Sequence, residues 1–172
     1  PARLVASIGS EGIGAGRFDD PRAIAAAKDG TLYVAEYSDG RVQHLGADGS
    51  SLNLWNIGKE KYVSDLFVTG DGVVNLVYRG KLWRYAAESG KELGALEIMD
   101  SFYVHTAAAA PDGGMVVFGR DETLLRLDPD LQILWAIPEV MSSITDASIG
   151  SGKLAMDGLG NIYLLSASES SV

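Results

Sequence analysis

The chain of 172 residues contains no cysteine. Disulfides are excluded, and so is chemistry that needs a thiolate. Histidine is almost as scarce: His44 and His105 are the only two, and they fall in different strands. A zinc site takes three or four ligands, so no metal set is assigned. Positive charge is short as well. The 14 Lys and Arg stand against 23 Asp and Glu, a net charge of −9 at pH 7. That balance argues against nucleic acid, which calls for a basic patch. No apolar run approaches the roughly 20 residues that span a bilayer. Asn53, Asn56, Asn75 and Asn161 all lack a hydroxyl residue two places on, so no N-glycosylation acceptor occurs. A cysteine-free chain suits the cytoplasm and exported bacterial proteins alike, and the compartment stays open.

What is present is glycine, hydrophobic alternation and a repeat. Hydrophobic residues make up 47% of the chain, which argues against disorder, and 21 glycines favour an architecture of many turns. Asp-Gly recurs at Asp29-Gly30, Asp71-Gly72 and Asp112-Gly113, with a degenerate Leu159-Gly160 behind them. An apolar strand follows each turn and a second, often of small residues, precedes it. A period of roughly 40–45 residues with about four strands each points to the blade of a β-propeller. The first unit reads as Ala23–Ala27, Leu32–Glu36, Arg41–Leu45 and Ser51–Ile57. The second reads as Asp65–Val68, Val73–Tyr78, Lys81–Tyr85 and Glu92–Ile98. The third reads as His105–Ala109, Met115–Phe118, Thr123–Asp128 and Leu131–Ile137. A fourth begins at Leu154–Met156 and Ile162–Ser166, and Arg3–Ile8 has the look of an outer strand ahead of the first. The single domain is thus divided into blades at about 22–57, 64–98 and 104–137, a partial blade at 153–166 and a strand at 3–8. Ala25–Ala27 and Ala107–Ala110 have high helix propensity, yet both occupy the small inner-strand position of a blade and are predicted to be extended.

Residues 9–45 carry a further signal. A glycine-rich loop from Gly9 leads through Phe18 to Pro21, then to a small-residue strand, the Asp29-Gly30 turn, Leu32-Tyr33-Val34 and Arg41-Val42-Gln43. This order resembles the NHL repeat, and the likeness weakens in the later repeats. The resemblance implies an all-β, six-bladed ring of four-stranded antiparallel blades, of which this chain supplies a partial arc of about three full blades plus flanking strands. It also implies a link from Arg41 to Glu36 or Asp39 that braces the first hairpin. Three arrangements would cover the arc's open edges: a larger protein of which this is a part, two paired arcs, or a four-bladed ring closed through Arg3–Ile8. Open edges also favour self-association.

Motifs for chemistry are weak. Gly12-Ile13-Gly14-Ala15-Gly16 is followed by Arg17-Phe18-Asp19-Asp20-Pro21, which cannot open the helix that a dinucleotide loop needs. In Gly150-Ser151-Gly152-Lys153 the next residue is Leu154, where a phosphate loop needs Ser or Thr for magnesium. No catalytic residue, metal or cofactor is assigned. Related six-bladed lactonases and amidating lyases gather carboxylates and histidines at the channel, and by that likeness Glu36, Asp65 and His105 would be the counterparts in an enzyme. The expected activity is binding. In a propeller, the loops opposite the Asp-Gly turns share one face and are the more varied, and loops on a rigid scaffold carry recognition. Aromatic and arginine side chains are the favoured anchors. The candidates on that face are Tyr37, Asp39, Arg41, Tyr62, Arg79, Phe102, Tyr103, His105 and Arg120, and the expected partner is a protein or peptide.

Overall fold

The computed structural model describes residues 2–4, 6–141 and 152–165. Residues 142–151, between the third unit and the partial blade, lie outside the described residues, as does Ser166 at the end of the fourth unit. A short parallel ribbon, β1 (Ser10–Glu11) with β2 (Arg17–Phe18), opens the chain. Blade one follows as β3 (Pro21–Ala26), β4 (Leu32–Glu36), β5 (Arg41–Leu45) and β6 (Ser51–Asn56). Blade two is β7 (Asp65–Thr69), β8 (Val73–Tyr78), β9 (Lys81–Ala86) and β10 (Glu92–Leu96). Blade three is β11 (Val104–Ala109), β12 (Met115–Gly119), β13 (Leu124–Leu127) and β14 (Ile133–Ile137). A two-stranded sheet, β15 (Lys153–Met156) with β16 (Ile162–Leu165), ends the described chain. Within each blade every neighbour in sequence is an antiparallel neighbour in space. The described residues contain no helix. The alanine runs are strand over Ala25–Ala26 and Ala107–Ala109, where each pairs with the second strand of its own blade. The described residues ahead of Ser10 join no sheet.

The first and third Asp-Gly turns work as Asx turns, with Asp112 Oδ1 accepting from the Gly114 amide at 3.1 Å, whereas Asp71 Oδ1 accepts from the Thr69 hydroxyl at 2.6 Å. Asp29 Oδ1 accepts from the amide and hydroxyl of Thr31 at 3.0 and 2.7 Å, while Gly30 sits at φ +86°. These hydrogen bonds hold the Asp29 carboxyl below its ordinary range. The degenerate fourth turn is built the same way around Asp157. Asp157 accepts from the amides of Leu159 and Asn161, from the Asn161 side chain and from the Tyr163 hydroxyl, which brings its carboxyl down to about 2.

The blades stack face to face. Between blades one and two lie Tyr33, Ala35, Val42, Leu66, Val74 and Leu76, with Trp55 and Trp83 at the wider outer side. Between blades two and three lie Phe67, Val77, Leu82, Met115, Val117 and Leu125. Val116, Phe118, Leu124, Met141 and Leu154 join blade three to β15. Trp135, by contrast, is exposed on β14. Among the described residues no further blade covers the two end faces: Ile24 is 66% exposed on the first, and Tyr163 and Leu165 are 55% and 65% exposed on the last. The glycine-rich segment covers part of the first end face. Gln43, fully buried, accepts from the Gly16 amide at 2.8 Å and donates to the Arg17 carbonyl at 2.6 Å, which pins Phe18 beside Ile8, Ile24 and Val34.

Polar ties cross between the inner strands. Thr106 Oγ1 donates to Asp65 Oδ2 and accepts from the Leu154 amide at 3.2 Å. Lys153 Nζ reaches back to the Ser64 carbonyl at 2.5 Å and to Asp65 at 3.3 Å. One carboxylate and one hydroxyl thus link β7, β11 and β15 at the same height.

Candidate functional site

The loops opposite the Asp-Gly turns meet on one face, and a cavity of about 320 Å³ opens there between blades two and three. It is lined by Lys61, Tyr62, Ser64, Arg79, Gly80, Tyr103, Val104 and His105. The volume falls at the lower end of ligand pockets, enough for one or two residues of a peptide.

Local backbone geometry explains why these side chains converge. In β11, Val104 pairs with Gly119 and Thr106 with Phe118, so His105 is an extra residue in the ladder. In β3, Pro21 pairs with Glu36 and Ala23 with Ala35, which makes Arg22 the matching extra residue of blade one. Bulges re-aim side chains and recur beside functional sites. Ser64 holds the matching place in blade two, where its amide and hydroxyl both donate to the Val77 carbonyl. Backbone strain gathers on the same face. Seven described non-glycine residues have positive φ, and all but Leu131 lie in these loops: Glu60, Tyr62, Arg79, Ser101, Glu122 and Glu139. Each such residue costs about 1–3 kcal/mol and persists only where the surroundings hold it.

Two exposed tyrosines form the walls. Tyr62 packs its ring against Tyr37 at 5.3 Å, and Arg22 covers the other side of that pair at 4.2 Å from the Tyr37 centroid. Tyr103 lies across Gly80, whose φ of +69° and missing side chain let the ring settle on the backbone. Val104 donates to the Gly80 carbonyl at 2.7 Å and fixes the approach. A Cβ at residue 80 would run into the Tyr103 ring. Gly80→Ala is therefore expected to cost about 1 kcal/mol from the left-handed backbone alone and to tip Tyr103 off its seat. Tyrosine fluorescence and a urea melt measure the two effects; an unmoved Tyr103 signal would refute this account of its seating.

His105 Nε2 accepts from the Gly152 amide at 3.1 Å, so the ring carries its proton on Nδ1. Burial, with help from Lys153 and Arg120, pushes its pKa below the ordinary imidazole value, against a smaller upward pull from Asp65. His44 is lowered too, by burial where it stacks on Tyr33 at 4.2 Å, against a pull from Asp29. The consequence for stability has a definite sign. Near neutral pH both histidines are unprotonated whether the chain is folded or not. Below the ordinary imidazole value of about 6.5 the unfolded chain takes up protons that the folded chain refuses, so stability falls as pH falls through that window. The carboxyls of Asp29, Asp48, Asp112 and Asp157 are held low and act only at more acidic pH. The melting temperature is expected to drop between about pH 7 and pH 5, and less so in His44→Phe; a flat profile in the parent chain would contradict it.

Of the candidates read from the sequence, Tyr62, Arg79, Tyr103 and His105 line the cavity. Arg120 lies beside it, its guanidinium 5.6 Å from the Tyr103 centroid, and Tyr37 backs Tyr62. The rest sit elsewhere. Arg41 is buried, paired with Glu36 through Nε at 2.9 Å and through Nη2. Asp39 holds its hairpin by accepting from Asn56 Nδ2 at 3.1 Å through its backbone carbonyl. Phe102 turns inward over Gly119 and against the core between blades two and three. Lys61 and Ser64 were not singled out. Lysine and serine are less favoured anchors than arginine and aromatics, and the place of Ser64 just ahead of β7 is a property of strand pairing. No group of three or more potential metal ligands occurs among the described residues.

Among solved structures, the chain is similar to the crystal structure of the WD40 β-propeller domain of Doa1, with a TM-score of 0.62 and 16% identity. The fold is a partial β-propeller. The match covers 86% of this chain and 48% of that one, so the chain spans about half the length of that propeller. No family profile matches the sequence, and no curated protein matches it. No helix among the described residues is long and apolar enough to cross a membrane.

Proposed function

We propose that this arc is a non-catalytic interaction module that binds a protein or peptide through the loop face holding the Tyr62–Tyr103 cavity. One observation carries the reading: four of the candidate anchors on the loop face, Tyr62, Arg79, Tyr103 and His105, converge on a single cavity of peptide dimensions. Both tyrosines are about half exposed, at 49% and 48%. Large, rigid and amphipathic side chains of this kind anchor interfaces. In this reading the blades are of the NHL type, residues 1–172 form one domain, and the arc belongs to a six-bladed ring whose remaining blades dock on the end faces at Ile24 and Leu165. The buried Glu36–Arg41 pair and the Gln43-anchored glycine loop support the NHL assignment, since they are where the resemblance is densest.

A displayed library of random peptides tests the binding face. Enrichment is expected on the parent chain, with at least a tenfold loss on Tyr62→Ala/Tyr103→Ala. Absence of any enriched peptide, or equal retention by the double variant, would defeat the reading.

A further inference from the structure

The chain is strongly acidic, yet the cavity is not. Its eight lining residues include two cations, Lys61 and Arg79, and no carboxylate. Asp65, next to Ser64, is already engaged by Thr106 and Lys153. Arg120 adds a third positive group beside Tyr103. Elsewhere, some cations pair with carboxylates: Arg22 with Asp20, Arg41 with Glu36, Lys81 with Glu97, Arg126 with Asp112 and Lys153 with Asp65. Around the cavity they are held by groups without net charge. Lys61 Nζ lies 5.6 Å from the Tyr78 centroid, Arg120 rests on Tyr103, and Arg79 donates through Nη2 to the Glu60 carbonyl at 3.3 Å. None of the three has a carboxylate partner among the described residues. Cation–π contacts and a carbonyl fix a side chain in place without cancelling its charge. The positive charge is therefore positioned and left unspent. Arg79 is also held with φ at +51° on a turn between two strands, beside Tyr62 at +56°. The remaining N–H groups of its planar fork suit a two-oxygen acceptor.

Resting on the reading of this face as a peptide-binding surface, we propose that the cavity takes an anionic side chain of an extended peptide, a carboxylate or a phosphorylated hydroxyl, with Arg79 as its ligand and Lys61 and Arg120 beside it. Tyr62 and Tyr103 hold the neighbouring peptide residues. A concave site lined by one sign of charge also speeds encounter with such a partner at low salt.

Degenerate peptide libraries, each with one fixed central residue, test this on the whole chain. Libraries fixed as Asp, Glu or phosphoserine are expected to bind at least tenfold more tightly than those fixed as Gln or Lys. Their affinity falls with added salt, and the stronger of the two acid classes identifies the source of the anion. Arg79→Gln is expected to abolish the preference with an unchanged melting temperature, Arg79→Lys to keep part of it, and Lys61→Met to weaken it. Equal or better binding of the Gln or Lys libraries, still lost in Tyr62→Ala/Tyr103→Ala, would overturn the anion proposal and leave the peptide reading standing. No binding by any library would overturn both.

Discussion

Replacing Glu36 with alanine is expected to destabilise the chain by about 3–5 kcal/mol, because it strands a buried guanidinium. The side chains of Glu36 and Arg41 are 1% and 7% exposed. Glu36 Oε2 takes both Nε and Nη2 of Arg41, and Arg41 Nη1 is buried with no hydrogen-bond partner among the described residues. The pair is already short of one hydrogen bond, so nothing nearby can absorb the loss of the carboxylate. Oε1 of Glu36 also receives the Asp19 amide at 3.4 Å, which ties the end of the glycine-rich segment to the first hairpin. Loss of stability should therefore come with faster tryptic cleavage at Arg17. The double variant Glu36→Leu/Arg41→Met removes both charges and should recover most of the loss, since a buried ion pair is replaceable by apolar groups of similar volume. Urea denaturation of the three proteins decides it. A single variant within about 1 kcal/mol of the parent would mean that water already reaches the pair.

That pair shows what the sequence could and could not reveal. The spacing from Glu36 through Gly40 to Arg41 is that of a hairpin, so a brace between acid and arginine was legible. Its burial was not, because burial depends on the glycine-rich segment folding back over blade one. In sequence Arg41 reads as a binding candidate, and in the structure it braces the scaffold. Phe102 repeats the lesson. An aromatic residue in a loop reads as an anchor, but Gly119 leaves room beneath it and the ring turns inward. The fold was more legible than the site because its signals are local. Asp-Gly turns recur, apolar residues follow them, and alternation needs only neighbouring residues to be read. β4 and β5 run Leu32–Glu36 and Arg41–Leu45, the bounds that the turn residues predict. The outer strands of blades one and two stop earlier than the apolar pattern suggests, at Asn56 and Leu96. Asn56 Oδ1 accepts from the Gly58 amide at 2.6 Å, and just beyond β6 the Ile57 amide still donates to the Gly40 carbonyl at 2.8 Å.

The cavity itself depends on register, which composition does not report. His105 faces the loops because it is the unpaired residue of a bulge, and Ser64 and Arg22 stand at the matching places of their own blades. A single residue more or less in β11 would send His105 to the other side of the sheet. Sequence reading could name His105 as unusual at the start of an inner strand, but only the pairing of Val104 with Gly119 says where the ring goes.

Phe118→Ala should be the most damaging apolar truncation near the site, costing about 3–5 kcal/mol for the lost burial and the cavity left behind. Phe118 is 1% exposed and packs with Val116, Leu124, Met141 and Leu154. Met141 and Leu154 lie on either side of the segment that joins blade three to β15, so the ring holds the last sheet against the arc. It also backs His105, whose ring meets it edge-on at 6.3 Å between centroids. Truncation therefore acts twice. It removes core contacts, and it frees β15 to draw away, which loosens the Gly152 amide from His105 and the Leu154 amide from Thr106. Hydrogen exchange should quicken first at Leu154–Met156, ahead of β12 and β13, and His105 should recover a more ordinary pKa as its surroundings open. Phe118→Leu keeps most of the volume and should cost less than about 1.5 kcal/mol, with β15 still protected. If Phe118→Ala instead loses stability evenly, with exchange rising together across all three blades, the arc unfolds as one unit and Phe118 has no special hold on β15.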